Sequence, residues 1–137
     1  MKKYLAFASM IFVLSLALSS CGAAGGPSTT INVTMTDFHF EPMQFTIPAG
    51  QEITVKATNN GAVQHEFVVF KLGTDAGDHF GSEDEENIYW ELEVQPGETV
   101  TGTFIAPNDI GDYSITCGIE GHLEAGMSAK LVVVADK

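Results

Sequence analysis

One loop of the sequence carries three side chains that bind soft metal ions. Cys117, His122 and Met127 follow one another at intervals of five residues within residues 116–127, TCGIEGHLEAGM. A thiolate, an imidazole and a thioether together suit copper better than calcium, magnesium or manganese. A second imidazole would complete a trigonal His2Cys set with a long axial methionine. Zinc held by two histidines and a cysteine, with water in the fourth position, is the alternative that these residue types leave open.

Three other histidines could supply the second imidazole. His65 opens an apolar run directly after a turn-like segment, so we expect it at the end of a strand, where the loops of a β-sandwich cluster. His39 lies in an alternating pattern between Phe38 and Phe40, which predicts that it points to the face opposite those rings. His79 lies in an acidic segment. We therefore select His65 and expect the other two to be ordinary solvated histidines.

The other cysteine lies at the end of an export signal. Two lysines precede an apolar run, and residues 18–21 read Leu-Ser-Ser-Cys, which predicts a lipoprotein signal peptide over residues 1–20 and lipidation of Cys21. A transmembrane helix is the alternative, but the run has roughly 14 residues where a span needs about 20. With Cys21 lipidated, Cys117 has no disulfide partner, and a thiol in an oxidising compartment is either buried and inert or held by a metal.

The rest of the chain divides into a linker and one domain. Residues 21–30 are small and lack periodicity, and residues 31–137 are enough for a single core. Without the signal peptide, 18 acids stand against four lysines, a net charge of −14. Nucleic acid and anionic lipid surfaces are therefore poor partners, whereas a basic protein is a suitable one. Residues 71–88 hold six of the acids and predict either a solvated loop or a docking surface.

The elements that must position the metal-binding residues are short strands. Apolar and polar residues alternate in runs that are separated by Gly, Pro and Asn. This pattern predicts an all-β, single-domain Greek-key β-sandwich of seven to eight strands, with at most one short helix in the acidic segment. A loop pinned between two rigid strands can turn three side chains toward one point while the fourth arrives from a neighbouring strand. The predicted strands are INVTMTDFHF, QFTI, EITVKATN, HEFVVF, YWELEV, TVTGTFIA, GDYSITC and AKLVVVA.

Three blocks of the sequence resemble the cupredoxins, the small blue-copper proteins, and most of all their bacterial forms. The blocks are DFHFEPMQFTIPAGQEITVKATNNG, AVQHEF and GDYSITCGIEGHLEAGMSAKLVV. The resemblance implies that His65, Cys117, His122 and Met127 are the ligands of one mononuclear type 1 copper that cycles between Cu(I) and Cu(II). We expect a monomeric electron carrier and not an enzyme, because the sequence suggests no substrate pocket and no second metal cluster.

The resemblance also implies how electrons enter and leave. The edge of His122 is expected to reach the surface within an apolar patch formed by Gly121, Ile119, Leu123 and Ala125.

Two positions depart from the family's pattern. Glu66 stands where many members have an asparagine that braces the ligand loop, and Glu120 stands where proline is common before the Gly-His pair. The hydrogen bonding around the thiolate, and with it the reduction potential, is therefore left open.

The sequence thus predicts a lipid-anchored type 1 copper protein on the extracytoplasmic or periplasmic side of a membrane. It would carry single electrons between redox protein partners, and a basic docking face on a partner would suit the acidic loop. The first alternative is a carrier or storage lipoprotein for copper(I) that uses the same ligands. The second is a metal-free binding module that keeps only the sandwich.

Overall fold

The computed structural model describes residues 26–136, so the predicted signal peptide and Cys21 lie outside the described residues. The described part contains nine strands and one 3-10 turn, η1, at Glu85–Asn87. None of its helices is long and apolar enough to cross a membrane. The strands are β1 Thr30–Thr36, β2 His39–Glu41, β3 Gln44–Pro48, β4 Glu52–Asn59, β5 His65–Phe70, β6 Ile88–Val94, β7 Thr99–Ile105, β8 Gly111–Thr116 and β9 Ser128–Val134.

The strands form two sheets that pack face to face. One sheet has the order β2-β1-β4-β7 and the other has the order β3-β9-β8-β5-β6. Strands β1 and β4 pair in parallel, as do β3 and β9, and the other pairs are antiparallel. The predicted all-β sandwich is therefore confirmed, with nine strands where seven to eight were expected.

The additional strand comes from a hairpin near the start of the domain. The prediction of one continuous strand over residues 31–40 is wrong, because the chain turns at Asp37 and Phe38 and pairs Thr36 with His39. Phe38 has a φ of 67°, which reverses the chain direction there. Phe40 is buried and His39 is exposed, as the alternation predicts, but Phe38 is exposed at the turn and does not share a face with Phe40.

The core lies between the two sheets and follows the twofold alternation of the strands. In β4, residues 53, 55, 57 and 59 are buried and face the other sheet. Three phenylalanines pack edge to face at the centre, with the Phe67 centroid 5.5 Å from that of Phe40 and 5.7 Å from that of Phe45. Such contacts fix the positions of the strand ends that carry the candidate site.

Strand β5 is buried on both faces. Residues 67–70 are all fully buried, although only Phe67 and Val69 belong to the core between the sheets. The outer face is covered in part by the acidic segment, whose Phe80 ring lies 6.3 Å from that of Phe70. An aromatic contact therefore joins this segment to the sheet. Near its end the segment forms the 3-10 turn η1, in the region where the sequence predicted at most one short helix.

Candidate metal centre

Three of the predicted metal-binding side chains converge at one end of the sandwich. The Sγ atom of Cys117 lies 3.3 Å from Nδ1 of His122 and 3.9 Å from Nδ1 of His65, and the two Nδ1 atoms are 3.1 Å apart. Cys117 and His65 are fully buried and His122 is 7% exposed. The three groups can therefore hold one metal ion shielded from water.

The strands and the loop between β8 and β9 determine this convergence. His65 is the first residue of β5 and faces inward like Phe67, two residues further on. Cys117 directly follows the last residue of β8. The loop then returns through hydrogen bonds from the His122 amide to the Ile119 carbonyl (3.0 Å) and from the Met127 amide to the His122 carbonyl (3.0 Å).

Two glycines allow this return. Gly121 and Gly126 have φ angles of 83° and 100°, a region that side chains with a Cβ atom rarely enter. The loop therefore folds back tightly enough for His122 to face Cys117.

Met127 closes the same loop and is fully buried. Its carbonyl accepts a hydrogen bond from the Cys117 amide at 3.1 Å, so the methionine and the cysteine lie side by side at the base of the loop. The use of its sulfur as an axial ligand stays a prediction.

The two histidines that were set aside lie elsewhere. His39 is exposed on β2, and His79 is exposed and contacts Glu83, with 3.1 Å between Nε2 and Oε1. This placement agrees with their interpretation as solvated residues.

Burial changes the pKa values of Cys117 and His122. Desolvation raises the pKa of the Cys117 thiol, and the nearby carboxylate of Glu66 adds to this, whereas the Glu66 amide lowers the pKa by donating to Sγ at 3.4 Å. Desolvation and the neighbouring His65 lower the pKa of His122. At neutral pH these shifts favour a neutral His122 imidazole, which can bind a metal, and disfavour ionisation of the Cys117 thiol in the absence of a cation. A bound cation would offset that cost, and the soft donor set fits copper.

Comparison with known proteins decides the family. A profile of the cupredoxin-like domain matches residues 7–133 of the chain. The protein is a cupredoxin. Auracyanin-A from Chloroflexus aurantiacus is 34% identical, over 91% of this chain and 93% of its own. The copper-resistant cuproprotein CopI from Rubrivivax gelatinosus is 29% identical, over 82% of this chain and 70% of its own.

The solved structures agree with this assignment. The reduced auracyanin of Roseiflexus castenholzii superimposes with a TM-score of 0.69 at 29% identity, covering 80% of this chain and 99% of that one. This cupredoxin is therefore a copper-binding electron-transfer protein, and its cofactor is one type 1 copper. Cupredoxins are in general electron carriers and not enzymes.

Two residues of the β1–β2 turn contact the histidines of this cupredoxin. Neither was among the site residues predicted from the sequence. The Oδ1 atom of Asp37 lies 3.3 Å from Nε2 of His65. The ring of Phe38 meets the His122 ring edge to face, with centroids 5.1 Å apart and planes at 83°. The available signal was Asp37 itself, a residue that favours turns, within a pattern that otherwise predicted a strand.

The loop around His122 contains the four residues expected to form an apolar patch together with two exposed acids, Glu120 and Glu124, so the apolar patch stays a prediction. Gly121 and Ala125 are exposed and Ile119 and Leu123 are half-buried. The exposed ring of Phe38 extends this surface beyond the residues expected from the sequence.

Glu66 acts on the centre through both its backbone amide and its carboxyl group. Its amide hydrogen bond to Cys117 Sγ does not depend on the side chain, so this bond is present although the asparagine of many relatives is replaced. Its half-buried carboxyl group packs over Gly118, in a groove that Glu85 and Glu91 also line. Burial, and then the charges of Glu91 and Glu93, raise the pKa of Glu66. Glu120, the other departure, is exposed.

Proposed function

We propose that this cupredoxin is a membrane-tethered carrier that moves single electrons between redox proteins outside the cytoplasm. The observation that supports the proposal best is the convergence of His65 Nδ1, Cys117 Sγ and His122 Nδ1 at a buried point. In this proposal these three atoms and the sulfur of Met127 are the copper ligands. Bound copper supplies a one-electron couple between Cu(I) and Cu(II).

The protein fixes the positions of the proposed ligands and shields them from water. His65 begins a strand that is paired on both sides, and hydrogen bonds close the loop that carries the other ligands. Ligands that are fixed by packing and hydrogen bonding keep one geometry in both oxidation states. Electron transfer then requires little rearrangement of the protein.

The partner face includes His122 and the acidic groove. His122 is the proposed ligand that retains some exposure, and the apolar residues around it offer a surface for close approach. The groove at Gly118, a residue of the same loop, is lined by Glu66, Glu85 and Glu91. These carboxylates would attract a basic redox partner and orient it beside the ligand loop.

The tether is proposed from the sequence. Residues 1–20 direct export, Cys21 carries the lipid, and residues 21–30 give the domain freedom to meet its partners. Replacing Cys21 with serine should move the protein from the membrane fraction to the soluble extract, whereas a protein that remained in the membrane would contradict lipid anchoring.

The test of electron transfer is one spectrum and one redox measurement. Copper-loaded, oxidised protein should bind about one copper per chain, show an intense visible thiolate-to-copper band and cycle reversibly in voltammetry. Copper uptake without the band would exclude a type 1 centre, and failure to take up copper would favour a metal-free binding module.

A copper carrier or copper-resistance role is the second candidate, favoured by the similarity to CopI. The same ligands would hold Cu(I) and release it to an acceptor. An electron carrier releases only the electron, whereas a copper carrier releases the copper ion itself. An electron carrier keeps its copper through many oxidation cycles, whereas a carrier of copper loses it to an acceptor protein or to a competing chelator of moderate affinity.

A further inference from the structure

The turn between β1 and β2 contacts both histidines of the centre. Asp37 and Phe38 are consecutive, yet Asp37 contacts His65 and Phe38 contacts His122. The turn belongs to the sheet opposite the one that carries the histidines. A two-residue segment of one sheet therefore touches two groups at the end of the other.

The contact with Asp37 specifies which nitrogen of His65 is free to bind a metal. An ionised carboxylate only accepts hydrogen bonds, so the 3.3 Å contact requires a proton on Nε2 of His65. In a neutral imidazole the lone pair then resides on Nδ1, the atom that faces Cys117 and His122. A carboxylate in this position fixes the tautomer and the ring orientation of a metal-binding histidine.

Asp37 is itself held in place by the turn between β4 and β5. Its Oδ1 also accepts a hydrogen bond from the Ala62 amide at 3.0 Å. A Cβ atom added at Gly61 would overlap Asp37 Oδ1 and would lie 2.8 Å from His65 Nε2. Glycine at that position leaves the space that the carboxylate occupies.

Phe38 adopts a backbone conformation that is unfavourable for its type. Among residues 26–136 it is the one non-glycine residue with a positive φ, at 67°. Left-handed backbone is costly for a bulky side chain and persists where surrounding contacts impose it. Here this conformation puts the ring against His122 although 45% of the residue remains exposed.

We propose that the Asp37-Phe38 turn is a positioning element of the copper centre, which orients both histidines with Nδ1 toward Cys117. Asp37 fixes the tautomer and angle of His65, and the Phe38 ring restricts the rotation of His122. The inference rests on the proposed function in so far as the oriented atoms are copper ligands.

The first experiment removes the carboxylate. In metal-free protein, long-range proton–nitrogen NMR spectra should show His65 as the Nε2-protonated tautomer. Asp37→Ala should give a mixture of tautomers and bind copper roughly tenfold to a hundredfold more weakly. Asp37→Asn keeps the turn and a hydrogen-bond acceptor without the charge. Its copper affinity and its fraction of the Nε2-protonated tautomer should lie between those of the unsubstituted protein and of Asp37→Ala. His39→Ala, two residues away in the same hairpin, is the matched control and should change neither property.

The second experiment removes the ring. Phe38→Asn introduces a residue that tolerates left-handed backbone, so the turn is retained while the contact with His122 is lost. In metal-free protein the His122 ring signals should broaden or shift, while the His65 tautomer stays unchanged. Asp37→Ala should produce the converse pattern, with the larger change at His65.

The outcomes separate this inference from the proposed function. If Asp37→Ala and Phe38→Asn both match His39→Ala in tautomer, ring signals and copper affinity, the turn has no positioning role and the inference is wrong. If the unsubstituted protein binds no copper, the proposed function fails, and the NMR spectra of the metal-free protein still decide whether the turn orients the histidines.

Discussion

At the scale of single residues, Cys117 is subject to two opposing influences on its protonation. The thiol is the one free cysteine among residues 26–136, and its burial raises its pKa while shielding it from oxidants. The hydrogen bond from the Glu66 amide favours the thiolate, as a metal would. The two influences oppose each other until a cation compensates the buried negative charge.

Replacement of the sulfur ligands should have unequal effects. Cys117→Ser removes the thiolate, so the intense visible band of the copper-loaded protein should disappear. Met127→Leu keeps the shape of the side chain and removes only a weak donor, so the band should remain while the reduction potential shifts. Visible spectra and voltammetry of the two variants measure this difference. A Cys117→Ser protein that stayed coloured would contradict the proposed site.

Glu66→Gln should stabilise the protein at neutral pH. Because the pKa of Glu66 is raised in the folded state, the protonated carboxyl group favours folding, and that contribution is lost as the pH rises from about 4.5 through the raised pKa. Glutamine resembles the protonated form and avoids repulsion from Glu91 and Glu93. The melting temperature of Glu66→Gln should therefore exceed that of the unsubstituted protein at pH 7, and the two should approach each other near pH 4. Glu52→Gln, on the other sheet, is the control.

The same substitution should also raise the reduction potential. The Glu66 carboxylate packs over Gly118, next to Cys117, and a negative charge there favours the more positive oxidation state of the metal. A change on the order of 1 kcal/mol in the one-electron reduction free energy corresponds to roughly 40 mV. An unchanged or lower potential in Glu66→Gln would show that the carboxylate does not act on the metal through its charge.

At the scale of elements, the sequence pattern predicted the strands and the ligand loop, which neighbouring residues determine. The position of His65 after a turn-like segment and the spacing of Cys117 and His122 within one loop between two predicted strands indicated a shared site, and the family resemblance implied that the three residues are ligands of one metal. The β1–β2 turn was missed although the alternation changes phase there: apolar residues occupy odd positions up to residue 35 and even positions from residue 38, with Thr36 and Asp37 both polar. The change of phase does not show what Asp37 and Phe38 contact. Their role depends on contacts with residues far along the chain, such as that from Asp37 to His65. A period of two residues in the sequence carries no information about such contacts.

Gly61→Ala tests how the β4–β5 turn supports the β1–β2 turn. The added methyl group would overlap Asp37 Oδ1 and crowd His65 Nε2, so Asp37 must move away and copper binding should weaken roughly tenfold. Gly73→Ala is the control, because alanine there has a strained φ of 79° but open space around it. The control should cost stability by about 1 kcal/mol and leave copper binding unchanged. Competition with a copper chelator and thermal melting measure the two effects, and equal copper affinities of the two variants would contradict the steric argument.

At the scale of the whole molecule, charge and architecture serve different ends. The two sheets hold a buried centre, while the sequence carries 18 acids against six lysines and these charged side chains lie outside the centre. In the proposed function, this excess of acids would attract a basic partner over distances of about 10 Å at moderate ionic strength. The carboxylates that line the groove at Gly118 would then direct this attraction toward the ligand loop.

Electron transfer to a basic partner should therefore depend on salt and on the groove. With a basic c-type cytochrome as probe, the second-order rate constant should fall as ionic strength rises, because screening weakens the attraction between exposed charges. Neutralising Glu85 and Glu91 together with glutamine should lower the rate at low salt and reduce its salt dependence. Neutralising Glu52 and Asp136, which do not line the groove, changes the net charge equally and should have a smaller effect. Stopped-flow measurements over a range of salt concentrations compare the two pairs, and equal losses would mean that net charge alone, not the groove, attracts the partner.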